Sequence, residues 1–271
     1  MAKAKDKQAE KQRQRELQRD ADLIRRRSDM RRRQFRLGGG AAAVLLLIGA
    51  IAVAMHGYGS TAPTGAVAAT LGAPTGATPA TPIGQFHKVG PILRNGGKPE
   101  FVFFGALYCP HCAVERWAIV KSLSQFGRFA HMTRTTNGQG VPTFDLTQAT
   151  YQSKYVSFVA RDMEDQNGNA LQALSADQKL LFSQYDPSGG IPLVAVGGYA
   201  MSGSPILPEE ISGRPFTSVQ SALKHNVGDT FVQDINAEAN VLTALICHSD
   251  GMQPQAACGR PVIRHMVASV R

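Results

Sequence analysis

FVFFGALYCPHCAVERWAIVKSLSQF, residues Phe101–Phe126, holds an apolar run, a Cys-x-x-Cys motif and an amphipathic pattern in direct succession. Phe101 to Leu107 carries no polar side chain, the pattern of a strand buried on both faces of a parallel sheet. After Cys112, the residues Ile119, Val120, Leu123 and Phe126 recur at helical spacing, and Gly127 is the predicted stop. Cys109 and Cys112 are therefore expected where a strand ends and a helix begins.

That position has chemical consequences. A helix start presents unpaired N–H groups and a partial positive charge, both of which favour a thiolate. Pro110 suits the first turn because its missing N–H has no partner to lose there. His111, when protonated, adds a second cationic influence on Cys109. Together these lower the thiol pKa, and the thiolate is the attacking species. Cys112, three residues on along the same helical face, is placed to resolve a mixed disulfide. The competing readings are half of a zinc site and a purely structural bridge. No second Cys-x-x-Cys and no His-x3–5-His pair completes a zinc site. A bridge over so short a loop constrains the unfolded chain little. No cofactor and no metal is expected.

The charge is lopsided. Residues 1–36 hold 14 Lys/Arg against 6 Asp/Glu, a net of +8, whereas the whole chain is +9. The basicity thus belongs to the tail. A nucleic-acid arm is one reading of it. Its position against a hydrophobic segment favours the other, a positive flank that orients a membrane span, and no nucleic-acid partner is expected. Residues 37–55, LGGGAAAVLLLIGAIAVAM, are 19 uncharged residues that span about 28 Å as a helix, close to the thickness of a bilayer core. The predicted topology is a cytoplasmic tail (1–36), a single-pass transmembrane helix in the cell membrane (37–55) and an extracytoplasmic remainder. A cleavable signal peptide ending near Ala52-Val53-Ala54 is the alternative, against which the long charged leader argues. Residues 56–82 are predicted to be a linker: of residues 61–82, 20 of 22 are Ala, Thr, Pro or Gly, which leaves little to bury and no fixed fold.

Residues 83–271 read as one globular region. Strands are expected over Phe129–Thr135, Tyr155–Ala160 and Ile191–Val196, the last closed by Gly197-Gly198. Ser175-x-x-Gln178 is a capping-box start for a helix ending near Tyr185, and Thr217-x-x-Gln220 is predicted to open a short one. Phe231, Ile235, Ala239, Leu242 and Ile246 mark a longer helix. Strands alternating with helices make this an α/β chain with helices packed on a sheet.

A strand, a Cys-x-x-Cys at a helix start, and later a Gly-rich turn into Ile191-Pro192 and another strand resemble the thioredoxin fold, a central mixed sheet flanked by helices. Cys109-Pro110-His111-Cys112 resembles the motif of the periplasmic disulfide oxidase DsbA. The resemblance implies a cis bond before Pro192, with the Ile191 backbone flanking the cysteines and offering N–H and C=O groups to an extended substrate. Over a wider range, PTFDLTQATYQSKYVSFVARD, LFSQYDPSGGIPLV and NVLTALICHSDGMQPQAAC are similar to the membrane-anchored domain-of-unknown-function 929 family, itself thioredoxin-like. The implied activity is that of a membrane-tethered thiol–disulfide oxidoreductase. Its implied substrates are the thiols and disulfides of exported proteins, and a redox partner in the membrane recycles it. A reductase or isomerase fed by a membrane electron donor, and a non-enzymatic peptide-binding module, are the alternatives. The chain departs from the family where thioredoxin and DsbA carry a buried acid six residues before the first cysteine, since Phe103 stands there. Glu115 is the acid nearest the motif, with a solvated helix position as its ordinary reading.

Cys247 and Cys258, with ten residues between them, are expected to form a structural disulfide in an oxidising compartment. A second redox pair is the sharper alternative.

Overall fold

A computed structural model describes residues 71–81 and 83–270. Two short strands, β1 (His87–Lys88) and β2 (Arg94–Asn95), precede β3 (Lys98–Gly105), on which the sheet is centred. Helix α1 (Pro110–Leu123) follows at once. The chain then makes a nested excursion of four strands: β4 (Gly127–Ala130), β5 (Thr133–Thr136), β6 (Pro142–Asp145) and β7 (Thr150–Ser153). β5 pairs with β6 inside the β4–β7 pair. Next come β8 (Ser157–Asp162), α2 (Ala176–Tyr185) and the hairpin β9 (Leu193–Val196) and β10 (Tyr199–Ser202). A 3-10 turn (Pro208–Glu210) leads to α3 (Phe216–His225), the long α4 (Thr230–Asp250), α5 (Gln255–Cys258) and α6 (Pro261–Ser269).

The central sheet is mixed. β8 lies parallel to β3, with Gly105 opposite Asp162. β9 lies antiparallel on the other side of β3, followed by β10 and β1. Successive side chains of a strand point to opposite faces, so an unbroken apolar strand needs cover on both. β3 has it. Phe101 and Phe103 join the larger core with Trp117, Ile119 and Leu242 of α1 and α4. Val102 and Phe104 join the smaller one with Leu193, Ala195 and Tyr185, at the end of α2. Burying each such large side chain stabilises by roughly 1.5–3 kcal/mol. Trp117 is core: its indole N–H donates to the Pro142 carbonyl at 2.8 Å, and its ring packs against Phe144 and Phe216. The Ser175–Gln178 capping box is formed in both directions at the start of α2.

Several local expectations are corrected. The single strand over Phe129–Thr135 is broken in two at His131, whose φ is 58°, because β4 and β5 take different partners. Gly127 does not end α1, which stops at Leu123 with Ser124 as its C-cap. It opens β4, where a Cβ would stand 2.2 Å from the Gln152 carbonyl oxygen. α3 starts at Phe216, one residue before Thr217, with Pro215 as N-cap and no side-chain capping bond.

Residues 71–81 also differ from a free tether. Leu71 and Pro74 are buried. Asn240 donates to the Thr75 and Ala77 carbonyls, Arg260 to that of Pro74 at 2.6 Å, and Lys121 to that of Leu71. Composition predicts no fold here because this strap has few groups of its own to bury; its partners are polar side chains far away in sequence. Burial, with the Arg260 charge adding to it, lowers the Lys121 pKa to about 8. Among the described residues no helix is long and apolar enough to cross a membrane, and the segment 37–55 lies outside them.

Candidate redox site

The β3 strand delivers the chain to Gly105, and a short turn through Leu107 and Tyr108 reaches Cys109, the N-cap of α1. Cys109 is extended (φ −72°, ψ 119°), and its Sγ accepts the Cys112 N–H at 3.0 Å. That N–H is one of the donors a helix start leaves without a backbone partner. Pro110 stands at the first helical position, as a residue without an N–H should. Cys109 and Cys112 are joined as a disulfide, Cα–Cα 5.2 Å. Cys109 retains 5% exposure and Cys112 none, while His111 is exposed. The expected exposed nucleophile is thus mostly covered in the disulfide form.

Part of the cover is the loop before β9. The Ile191–Pro192 bond is cis, and the Ile191 carbonyl oxygen lies 3.9 Å from Cys109 Sγ. Gly203, just after β10, donates its N–H to the Pro192 carbonyl at 2.8 Å. The other wall is the chain after β8. Met163 donates to the Gly105 carbonyl and Leu107 to that of Glu164, at 2.8 and 2.9 Å. Tyr108 is a large exposed side chain at the mouth, and partial burial with the hydrogen bond its hydroxyl donates to Glu164 raises its pKa. The Asn137 side chain holds the Tyr108 carbonyl at 3.2 Å.

Beneath the cysteines lies a group with no signal in the sequence. Arg116, one turn after Cys112 on α1, is fully buried and paired with fully buried Asp162 at the end of β8. The same guanidinium donates to the Ala106 carbonyl at 3.1 Å and lies 5.3 Å from the centroid of the Phe103 ring. Phe103 Cζ and Cys112 Sγ stand 2.7 and 3.2 Å from where a Cβ on Gly105 would be, so ring, sulfur and guanidinium form one contiguous layer. The position six residues before Cys109 is thus taken by an aromatic ring with a cation over it. Burial raises the Asp162 pKa, opposed by the Arg116 charge. Nε and Nη1 of Arg116 have no hydrogen-bond partner among the described residues.

Glu115 is buried as well, not solvated: it is fully covered, and Ser204 Oγ donates to its Oε2 at 2.7 Å. Sequence spacing could not have found this, because the cover comes from α4 and from the loop after β10.

Cys247 and Cys258 are bonded elsewhere, Cα–Cα 5.6 Å, both fully buried between the last turn of α4 and α5. They stand apart from the first pair. Pro192 precedes β9, whereas Gly197, at the other end of that strand, packs against Leu245 and Ser249 beside Cys247. No cluster of three or more His, Cys, Asp or Glu side chains suited to a metal occurs among the described residues.

No curated protein and no solved structure matches the chain. A family model described as "Domain of unknown function (DUF929)" matches residues 85–188. That span begins just before β1 and ends in the turn before Ile191, so the match to that family takes in the Cys109–Cys112 site.

Proposed function

We propose that this protein is a membrane-tethered, thioredoxin-like thiol–disulfide oxidoreductase that oxidises exported proteins outside the cytoplasm. The observation that carries the reading is the Cys109–Cys112 disulfide at the first turn of α1, with the Cys112 N–H on Cys109 Sγ and the Ile191 carbonyl beside it. The thioredoxin-like part draws support from β3 lying between parallel β8 and antiparallel β9, with the Cys-x-x-Cys following β3 and Pro192 preceding β9. The tether and the compartment rest on residues 1–55 of the sequence.

In the proposed reaction a substrate thiolate attacks Cys109 Sγ, the Cys109–Cys112 bond breaks, and Cys112 leaves as a thiolate. A second substrate thiolate then attacks the substrate sulfur of the mixed disulfide and releases Cys109. The substrate loses two electrons and two protons, which the dithiol form of the protein retains. A two-electron acceptor in the membrane returns the protein to the disulfide. The helix start favours the leaving and attacking thiolates, and exposed His111 stands beside Cys109 where a positive charge would add to that effect. Favouring thiolates stabilises the reduced protein and makes its disulfide a stronger oxidant. The Ile191 backbone is the natural edge for an extended substrate.

The test is oxidative refolding. The full chain, in its disulfide form, is mixed with a reduced, unfolded ribonuclease. Stoichiometric formation of substrate disulfides with reduction of Cys109–Cys112 supports the oxidase. Reduction of substrate disulfides by the dithiol form, without the reverse, supports the reductase. No exchange in either direction supports a binding module.

A further inference from the structure

Two buried carboxylates lie where α1 packs against α4. Glu115 on α1 and Glu238 on α4 are both buried, and the Glu115 charge adds to burial in raising the Glu238 pKa. Oε1 of each has no hydrogen-bond partner among the described residues. Two bare carboxylates cannot share a dry site without large repulsion, and the usual outcome is one proton held between them.

The pair is connected at both ends. Toward solvent, Glu238 lines a cavity of about 310 Å³ together with Ala77, Pro79, Pro205 and Asp234. Toward the redox site, Glu115 accepts from Ser204 Oγ, and the neighbouring Gly203 N–H holds the Pro192 carbonyl. The Ile191 carbonyl then sits 3.9 Å from Cys109 Sγ. Glu115 also follows Cys112 by three residues on one helix, close enough for their charges to interact.

We propose that Glu115 and Glu238 are positioning residues that hold two protons in acid and share one above neutral pH, and that this proton release to solvent through the cavity couples the Cys109–Cys112 couple and its Ile191–Pro192 wall to pH. The proposal rests on the redox reading of Cys109–Cys112 and adds to it a proton site away from the sulfurs. Burial raises Glu115 to about 7, against the Ser204 hydrogen bond, and burial together with the Glu115 charge raises Glu238 well above its ordinary value. Other charged groups nearby are engaged elsewhere. On α1, Arg116 turns to Asp162 and Lys121 to the Leu71 and Leu223 carbonyls. On α4, Asp234 lies a turn before Glu238, next to Glu210 of the 3-10 turn, which also feels Glu209 and Arg214. Residues 71–81 and 203–206 contribute no titratable side chain.

The sign follows from linkage. Loss of the first of the pair's two protons, near neutral pH, adds a negative charge one turn from Cys112, which disfavours thiolates there and makes the couple more reducing. By reciprocity, forming a thiolate at the site tightens the pair's hold on its proton.

The experiment is the equilibrium of the Cys109–Cys112 couple of the full chain with glutathione, measured from pH 5 to pH 9 for wild type, Glu115→Gln and Glu238→Gln. The wild-type profile is expected to bend near pH 7. Glu115→Gln is expected to remove the bend, to be more oxidising by about tenfold at pH 8, as one fewer charge in a poorly screened site implies, and to converge with wild type near pH 5. Should a variant fail to fold, the oxidised-minus-reduced infrared difference spectrum of wild type is the second readout. It is expected to contain the carbonyl stretch of a protonated carboxylic acid. Wild type that does not exchange with glutathione overturns the redox reading itself. Wild type that exchanges, with a pH profile shared by both variants or with no carboxylic-acid band in the difference spectrum, overturns the proton pair and leaves the redox reading standing.

Discussion

The two disulfides of this protein stand at opposite ends of helices. Cys109 caps the N-terminus of α1, where the free N–H groups favour a thiolate. Cys247 lies in the last turn of α4, before the Gly251 C-cap, where the carbonyl ends of the helix disfavour one. The first pair closes a loop of three residues and retains a trace of exposure at Cys109; the second closes eleven and has none. The same bond therefore serves two purposes. On the proposed function the bond at the helix start opens during exchange, whereas the bond at the helix end ties α5 to α4. Arg260, two residues after Cys258, in turn holds the strap through Pro74.

The largest expected effect that could break this contrast is qualitative. Cys112→Ala should accumulate mixed disulfides formed when Cys109 attacks substrate disulfides, visible as adducts on non-reducing gels, because Cys112 is no longer there to attack Cys109 and release the substrate. Cys109→Ala should accumulate none. Neither Cys247→Ala nor Cys258→Ala should form adducts with substrate when Cys109 and Cys112 are intact. Equal trapping by Cys112→Ala and Cys109→Ala would contradict the division of roles.

Next in size is the pair under the first disulfide. Asp162→Ala leaves the Arg116 guanidinium buried without its carboxylate and should cost about 3–5 kcal/mol in denaturant unfolding. A loss below about 1 kcal/mol would mean that the pair is solvated.

The second disulfide is expected to matter for stability alone. Replacing both Cys247 and Cys258 with Ala should cost about 2–3 kcal/mol on loop-closure grounds, a model-dependent figure, with thiol exchange at Cys109 unchanged. Loss of exchange in that variant would point to electron transfer between the pairs.

The smallest expected effect concerns pH. Glu115 titrates at about 7 in the fold, above its ordinary 4.5. The stability it confers is fully present below its unfolded value and is lost as pH rises through the folded one. Between pH 5 and pH 8 wild type should therefore lose more stability than Glu115→Gln. Equal losses would indicate that the side chain is hydrated.

Much of this arrangement is legible in the residues. The run from Phe101 to Leu107, the Cys-x-x-Cys and the spacing after it foretell β3, the N-cap and α1, because each is a local property of adjacent side chains. The Ser175 capping box and the α4 stripe are local in the same way. What escapes is set by pairing across the chain. Arg116 meets Asp162 only because parallel register puts Asp162 opposite Gly105. Glu115 meets Glu238 only because α1 and α4 pack on the same face of the sheet. Residues 71–81 are ordered by Lys121, Asn240 and Arg260, none of which is near them in sequence.

The contrast between the two pairs is tested most directly by equilibrating the full chain in glutathione buffers of graded potential and locating free thiols by alkylation and peptide mass. The account predicts that Cys109 and Cys112 become reduced in buffers where Cys247 and Cys258 remain bonded. Reduction of Cys247–Cys258 first, or of all four cysteines together in a chain that remains folded, would contradict it.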